Sequence, residues 1–341
     1  MKLIKIVFPF FFFCLLACET STTNNGVANG QSDAKPTPKS NMVPISDANE
    51  VSDKSSIAKE RVKDYSDASK INNCKVEGKM IEENDLWIKD QNIWVCMVTD
   101  SISEAYLDSG ESYRILDMYD TRTCEQVSRH LLPVNRSPDF PYYIFKETYE
   151  EKNKVVCTSG FEYTFCCDVA NKKVLPRMEP VYFKERTGED AQSGLPLGLM
   201  VWNHFLFGYA QDFGAYAFDI GNKDQPKALR GVAEFAIEDE LFEYNTLFLV
   251  EQNADTYQGI IPSMNEDEDA MELKVVFKNP IKINPSLPKG ARDNRYLIFK
   301  DLAVSTEKRI VVDMQEAKEV ILPKGIASKK SGEILEWLKK R

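Results

Sequence analysis

The chain has 341 residues and a formal charge of −10, from 53 acidic and 43 basic side chains. Contacts to phosphate supply most of the affinity of proteins for nucleic acid, and this acidic chain has no basic stretch to make them. We therefore expect neither nucleic-acid binding nor attraction to anionic lipid headgroups by charge.

The first 17 residues have the pattern of a secretion signal. A short basic start, Met1 to Lys5, precedes an apolar run of 12 residues from Ile6 to Ala17. A helix needs about 20 apolar residues to cross a bilayer, so this run is too short for a membrane span. A charged start followed by a short apolar run is typical of a segment that is removed on export.

The signal ends Leu15-Leu16-Ala17-Cys18, which resembles the lipobox of bacterial lipoproteins. The resemblance implies that the Cys18 thiol receives a diacylglycerol and that its amine is acylated after cleavage. Two or more acyl chains hold a protein stably on a bilayer, whereas one does not. Residue 19 is Glu, not the Asp that resembles an inner-membrane retention mark, which favours the outer membrane without indicating a face. The alternative is an ordinary signal cleaved nearby, with Cys18 incidental.

Residues 18–70 have the composition of a disordered tether. The stretch is rich in Ser, Thr, Asn, Asp and Lys, and Tyr65 is its single aromatic residue. Such a segment cannot bury enough apolar surface to offset its ordering entropy. As a flexible coil it would span on the order of 40 Å. Residues 71–341 are rich in aromatic and β-branched residues, and they form the predicted exported domain.

Two marks recur in step through this domain. The first is an Asn at the end of a polar turn, entering an apolar strand, and it occurs at Asn92, Asn153, Asn203, Asn245 and Asn294. The second is an Asp after an apolar strand, at Asp117, Asp168, Asp219 and Asp313, with a degenerate version at Ser263-Met264. Asn tolerates the backbone of tight hairpin turns, and Asp binds the amides of a following turn.

The repeat unit is therefore strand, turn, strand, loop, strand, turn, strand, at a period of about 50 residues. Five such units predict an all-β fold, a β-propeller of about five four-stranded blades. A β-sandwich, or a pair of them, is the alternative that this strand density also allows. A short amphipathic helix is predicted over 331–340, capped by Ser331 and packed through Ile334, Leu335 and Leu338.

The cysteines predict disulfides in the first two units. Cys14 leaves with the signal and Cys18 is acylated, so six remain, at Cys74, Cys96, Cys124, Cys157, Cys166 and Cys167. An even count in an exported protein favours disulfides. We expect first Cys157 with Cys166, on adjacent strands. Cys167, on the opposite face, is then expected to reach Cys96, which leaves Cys74 with Cys124.

Most catalytic and metal chemistry finds no support in the sequence. The chain has only two histidines, His130 and His204, no CxxC pair, and none of the common nucleophile, zinc, dinucleotide or phosphate-loop motifs. Each histidine is expected to be structural or to lie at the surface. The acidic run 266–269 lacks the alternating ligands of a calcium loop. We predict no metal and no cofactor.

The leading hypothesis is a non-catalytic binding or scaffold lipoprotein with a protein or glycan ligand. Aromatic residues such as Phe140, Tyr142 and Tyr143 could cover that ligand. The alternative is a carbohydrate-active hydrolase, because a propeller funnel needs only carboxylates for glycoside hydrolysis. Its candidate acids are Asp85, Asp139 and Glu240, near the starts of units. This alternative rests on analogy of fold, and fold alone does not fix function.

Overall fold

The structure, a computed structural model, describes residues 74–100, 112–135, 142–182, 194, 196–210, 213–236, 244–265, 270–287, 289–303 and 308–341. The signal, Cys18, the predicted tether and the acidic run 266–269 lie outside these ranges. None of the helices within them has the length and apolar character that crossing a bilayer requires.

Twenty strands form five antiparallel sheets, each made from consecutive strands, which we number as blades 1 to 5. Blade 1 contains β1 (Lys79–Ile88), β2 (Ile93–Thr99), β3 (Ser112–Asp120) and β4 (Glu125–Asn135). Blade 2 contains β5 (Tyr143–Phe145), β6 (Val155–Ser159), β7 (Thr164–Asp168) and β8 (Lys173–Val174). Blade 3 contains β9 (Pro196–Trp202), β10 (Phe205–Ala210), β11 (Gly214–Asp219) and β12 (Lys227–Leu229).

Blade 4 contains β13 (Ala233–Ala236), β14 (Tyr244–Asn253), β15 (Thr256–Asn265) and β16 (Ala270–Val275), and the short β17 (Ile281–Lys282) also pairs with β15. Blade 5 contains β18 (Tyr296–Lys300), β19 (Arg309–Asp313) and β20 (Lys318–Val320). Its fourth strand is reduced to one bridge, between Arg292 and Leu297. The predicted all-β propeller of about five four-stranded blades is confirmed.

Apolar side chains fill the space between successive blades, because a small sheet can bury both faces only against neighbours. Separate clusters join blades 1 and 2, 2 and 3, 3 and 4, and 4 and 5. Asn84 adds a polar link between blades 1 and 2. Its Nδ2 donates a hydrogen bond to the Tyr142 carbonyl at 2.7 Å, and its Oδ1 accepts one from the Ile144 amide at 2.8 Å.

The order of strands reverses between the third and fourth blades. In blades 1 to 3, the first strand of each blade contacts the first strand of the next blade: β1 contacts β5, and β5 contacts β9. Blade 4 instead places β16 against β9, β15 against β10 and β14 against β11. Nothing in the repeat marks predicts this reversal.

The two remaining faces, one on each end blade, are covered by local chain. In blade 5, a helix, α2 (Ser331–Leu338), follows the short α1 (Lys324–Ala327) and buries Ile334, Leu335 and Leu338 against the sheet, as predicted. The cap prediction is wrong, because Lys330 holds the N-cap position and Ser331 is already helical. In blade 1, residues 74–77 cover the face, and we call this segment the strap.

The Asp marks bind turn amides in three of the four blades predicted. Asp168 accepts from the Asn171 amide, Asp219 from Gly221, and Asp313 from Gln315 and Glu316. In blade 1 this role falls to Asp120, which accepts from the Arg122 amide. Asp117 lies inside β3, so its predicted turn role is wrong.

The Asn marks are only partly confirmed. Asn92 and Asn203 adopt positive φ, of 52° and 55°, at their hairpin turns. In blade 2 the left-handed residue is Lys154, one position after Asn153. Asn245 does not end a turn but lies within β14, where it donates to the Met314 carbonyl of blade 5.

Two of the three expected disulfides form. Cys157 and Cys166 are directly opposed on β6 and β7 and are bonded, and Cys74 is bonded to Cys124. The Cys96–Cys167 pairing is wrong, since both are free buried thiols. Val95 and Met97 face blade 2, so Cys96 between them faces the strap, away from Cys167.

Candidate functional site

Of the three carboxylates predicted for a hydrolytic centre, only Asp85 is within the described residues, and Asp139 and Glu240 lie outside them. Asp85 stands on β1, and its Oδ2 accepts a hydrogen bond of 2.6 Å from the Trp94 indole on β2. This bond fixes Asp85 to its own blade. The three-carboxylate hypothesis stays a prediction.

A polar row crosses all four strands of blade 1 on its strap side. Asp85 lies opposite Cys96, Cys96 opposite Asp117, and Asp117 opposite Arg129. Asp117 has no exposed surface. Its Oδ2 accepts from the Tyr119 hydroxyl at 3.3 Å and from Arg129 at 3.4 Å, while Oδ1 has no hydrogen-bond partner. Burial raises the pKa of Asp117 to about 6, although Arg129 and Tyr119 oppose the shift.

The strap closes over this row. The Cys74–Cys124 disulfide fixes one end of it to the β3–β4 turn. The Glu77 amide donates to the Tyr119 hydroxyl at 3.2 Å, and Arg129 donates to the carbonyl and carboxylate of Glu77 at 3.3 and 3.2 Å. With Asp117 enclosed in this way, the row is closed to a substrate in this conformation.

An open pocket lies at the outer edge of blades 1 and 2, with a volume of about 570 Å³. Sites for small ligands and side chains commonly have volumes of about 300–1,000 Å³. Three blades contribute to its lining, which consists of His130, Pro133, Phe165, Lys173, Val174, Leu175, Pro176, Arg177 and Asp224. Its floor is mainly apolar and its rim is charged.

His130 gives the pocket a neutral polar group. The imidazole packs against the Phe165 ring across the two blades, with ring centroids 5.7 Å apart. Burial lowers the pKa of His130 below its usual 6.5, so the ring is uncharged at pH 7. A neutral imidazole offers one hydrogen-bond donor and one acceptor. This histidine was expected to be structural or to lie at the surface, and the structure places it in the lining of the pocket.

Two cations stand on the rim, each held by an exposed acid. Lys173 Nζ is 2.6 Å from Asp224, and Arg177 is 2.7 Å from Glu179. The Arg177 guanidinium also lies over the Tyr163 ring, 4.6 Å from its centroid. Exposed pairs of this kind contribute only about 0–1 kcal/mol. An acidic ligand can therefore exchange for either partner at little cost.

Several large aromatic residues belong to the core and not to the surface. Trp94, Phe205 and Phe207 are buried between sheets or beneath the strap. Tyr142 is fully buried, and its hydroxyl donates to the Pro133 carbonyl at 3.3 Å. Tyr143 is 43% exposed, so it is the one member of the Phe140–Tyr143 cluster that the described residues show at the surface.

Sequence comparison identifies no relative: no protein-family model and no curated protein matches the chain. Among solved structures, the chain is similar to the β-propeller domain of Cps50 (Swd1) from Myceliophteria thermophila, at 10% identity, with a TM-score of 0.28. The match covers 76% of this chain and 70% of that one.

A second match is BamB from Moraxella catarrhalis, at 11% identity over 67% of this chain and 72% of that one, with a TM-score of 0.15. At such scores the similarities carry no argument about function. The assignment as a β-propeller rests on the five sheets themselves. Among the residues described, no group of three or more His, Cys, Asp or Glu side chains could hold a metal ion.

Proposed function

We propose that this chain is an exported lipoprotein that acts as a non-catalytic binding module, with the pocket of blades 1 and 2 as its contact with a protein partner. The observation that carries the proposal is the pocket itself. It combines an apolar floor, a neutral His130 and two exchangeable cations at the outer edge of a rigid sheet array.

The lining can bind and orient a ligand but lacks the parts of a catalytic site. Among the described residues, no Ser, Thr or Cys lines it, and the one carboxylate there, Asp224, is engaged by Lys173. General acid–base or nucleophilic catalysis needs a second reactive group within hydrogen-bond reach of His130. Binding is therefore the function that these side chains support best.

A protein ligand is favoured over a glycan because sugars stack on exposed aromatic faces. Phe165 is 2% exposed, and the Tyr163 ring is covered by Arg177. A side chain from a partner can instead fill the pocket and meet His130 at its wall. The carbohydrate-active hydrolase stays a prediction, tested by Asp85→Asn, Asp139→Asn and Glu240→Gln variants on a glycan panel.

The lipid anchor and the tether complete the proposal. Acylation of Cys18 would hold the protein on the bilayer, with the outer membrane favoured by Glu19. A tether that spans on the order of 40 Å would let the pocket reach partners beyond the lipid surface. This arrangement suits a binding module whose partners are other proteins of the cell envelope.

The direct test is photo-crosslinking in cells that make the full chain. Pro176 lines the pocket and is exposed, so it can be replaced by p-benzoylphenylalanine without disturbing the core. We expect a discrete protein adduct at position 176 that disappears when His130→Ala and Arg177→Glu are added. Lys152, exposed on a turn of blade 2 outside the pocket, is the control position for the crosslinker. Equal adducts at both positions, or none at 176, would contradict the proposal.

A further inference from the structure

The outermost strand of blade 1 has a free edge beside the pocket. At 11 residues, β4 is the longest strand described, and it pairs with β3 alone. Between Glu125 and Leu132, no backbone hydrogen bond from β4 to any described element other than β3 is present. An unpaired edge of this length is a template for a further strand.

The edge forms one wall of a groove, and residues 173–177 of blade 2 form the other, with the pocket between them. Side chains alternate along β4. His130 faces blade 2 and lines the pocket, while its neighbour Leu131 faces the other way. A strand laid along β4 would follow the same alternation, so that every second side chain is directed into the groove.

Edge strands are often protected by lysines or prolines that oppose pairing. In β4 the central charge, Arg129, is turned to Asp117 and Glu77 of the strap side. Pro133 limits pairing only at the far end of the strand. A bulge at Val127 interrupts the strand, so the stretch 128–132 is the part of the edge that keeps the pairing capacity most exposed edges lose.

The rim charges indicate the chemistry of the incoming chain. Lys173 and Arg177 are about half exposed, at 45% and 50%, and each is paired with a surface acid, while Arg177 also lies over the Tyr163 ring. An acidic side chain beside an apolar one would meet these cations while the apolar group enters the pocket. The apolar floor and the cationic rim thus fit an extended, acidic segment.

We propose that the partner binds by strand addition: an extended acidic segment pairs with β4 as a fifth strand of blade 1 and places an apolar side chain in the pocket. This inference rests on the proposed function and gives it a mode of recognition. Main-chain hydrogen bonds would supply affinity, and the pocket would supply specificity.

The test uses the exported chain and a ten-residue synthetic peptide that alternates Thr with apolar residues around a central Phe flanked by Asp. We expect it to bind and to slow amide hydrogen exchange in residues 128–132. A peptide of the same composition with two central prolines should bind at least tenfold more weakly. The double variant Lys173→Glu/Arg177→Glu should also weaken binding at least tenfold, whereas Lys152→Glu/Lys278→Glu, with the same charge change elsewhere, should not.

Two outcomes overturn strand addition while leaving the binding module intact. One is peptide binding without protection of the β4 amides. The other is no peptide binding to a protein whose position 176 still crosslinks a partner in cells. Absence of both the crosslink and the peptide complex would overturn strand addition and the proposed function together.

Discussion

Asp117 and Arg129 lie directly opposite each other on neighbouring strands, and the guanidinium nitrogen is 3.4 Å from a carboxylate with no exposed surface. The arginine only partly compensates for the burial of the acid, and the second carboxylate oxygen has no hydrogen-bond partner. The strap of blade 1 therefore covers a carboxyl group that favours the protonated form. The folded chain is more stable when Asp117 is protonated than when it is ionised.

This relationship predicts an unusual pH dependence of stability. The pKa of Asp117 is about 6 in the folded chain, against about 3.9 for an unfolded Asp. The folded state thus binds the proton more tightly, and this residue adds stability as the pH falls from about 7 to about 4. Asp117→Asn should remove that contribution and raise the free energy of unfolding at pH 7 by up to about 3 kcal/mol. Urea unfolding at pH 5 and pH 7 measures both effects.

Arg129→Met is the matched control for that experiment. Without the cation, the pKa of Asp117 should rise further, so the loss of stability on raising the pH should extend to a higher pH. An Asp117→Asn protein with unchanged stability at both pH values would show that the carboxylate is solvated in solution.

The disulfide of the strap should contribute more to stability than its exposed position indicates. It closes a loop of 50 residues, for which chain entropy gives about 4 kcal/mol. We expect Cys74→Ala/Cys124→Ala to lower the melting temperature and to shift Trp94 fluorescence to the red as the strap loosens. Cys96→Ala keeps both disulfides and serves as control. A double variant as stable as the parent would mean that the strap is held by its hydrogen bonds alone.

The free thiols should resist modification in the folded chain. Burial raises the pKa of Cys96 well above its usual range and that of Cys167 to about 12, so neither forms a reactive thiolate at pH 8. Iodoacetamide should add nothing to the native exported domain, and two groups after unfolding without reductant. A peptide that links Cys96 with Cys167 in a non-reducing digest would contradict the structure.

The lipid anchor is tested by Cys18→Ala. We expect the variant to leave the membrane fraction or to accumulate as an uncleaved precursor, because the acyl chains would have no attachment site. Fractionation with detection of the precursor decides between these. Membrane partition and processing at the same bond in the variant would remove the lipobox interpretation.

The repeat marks predicted the fold because local turn chemistry recurs in blades 1, 2, 3 and 5. Asp168, Asp219 and Asp313 bind turn amides as their positions indicated. Blade 1 has two candidates three residues apart, Asp117 and Asp120, and only the hairpin register shows which one reaches the turn. The buried acid was therefore missed, since a pattern of apolar and polar residues does not give the register of a strand.

The pocket could not be predicted from the sequence for a different reason. His130, Phe165 and Asp224 come from three blades, and no spacing along the chain relates them. The predicted Cys96–Cys167 disulfide was wrong for the same reason. Which face of blade 1 meets blade 2 is decided by packing between sheets, and that packing is not local.

The two end blades are each sealed by chain of their own, the first by the strap and the last by α2. Each interior blade, in contrast, has two apolar faces, and each face packs against the adjacent blade. Stability in such an array is a sum of nearest-neighbour contributions. In the described part of the chain, the two seals therefore end the array on both sides, because they cover the apolar faces on which a further blade could otherwise pack.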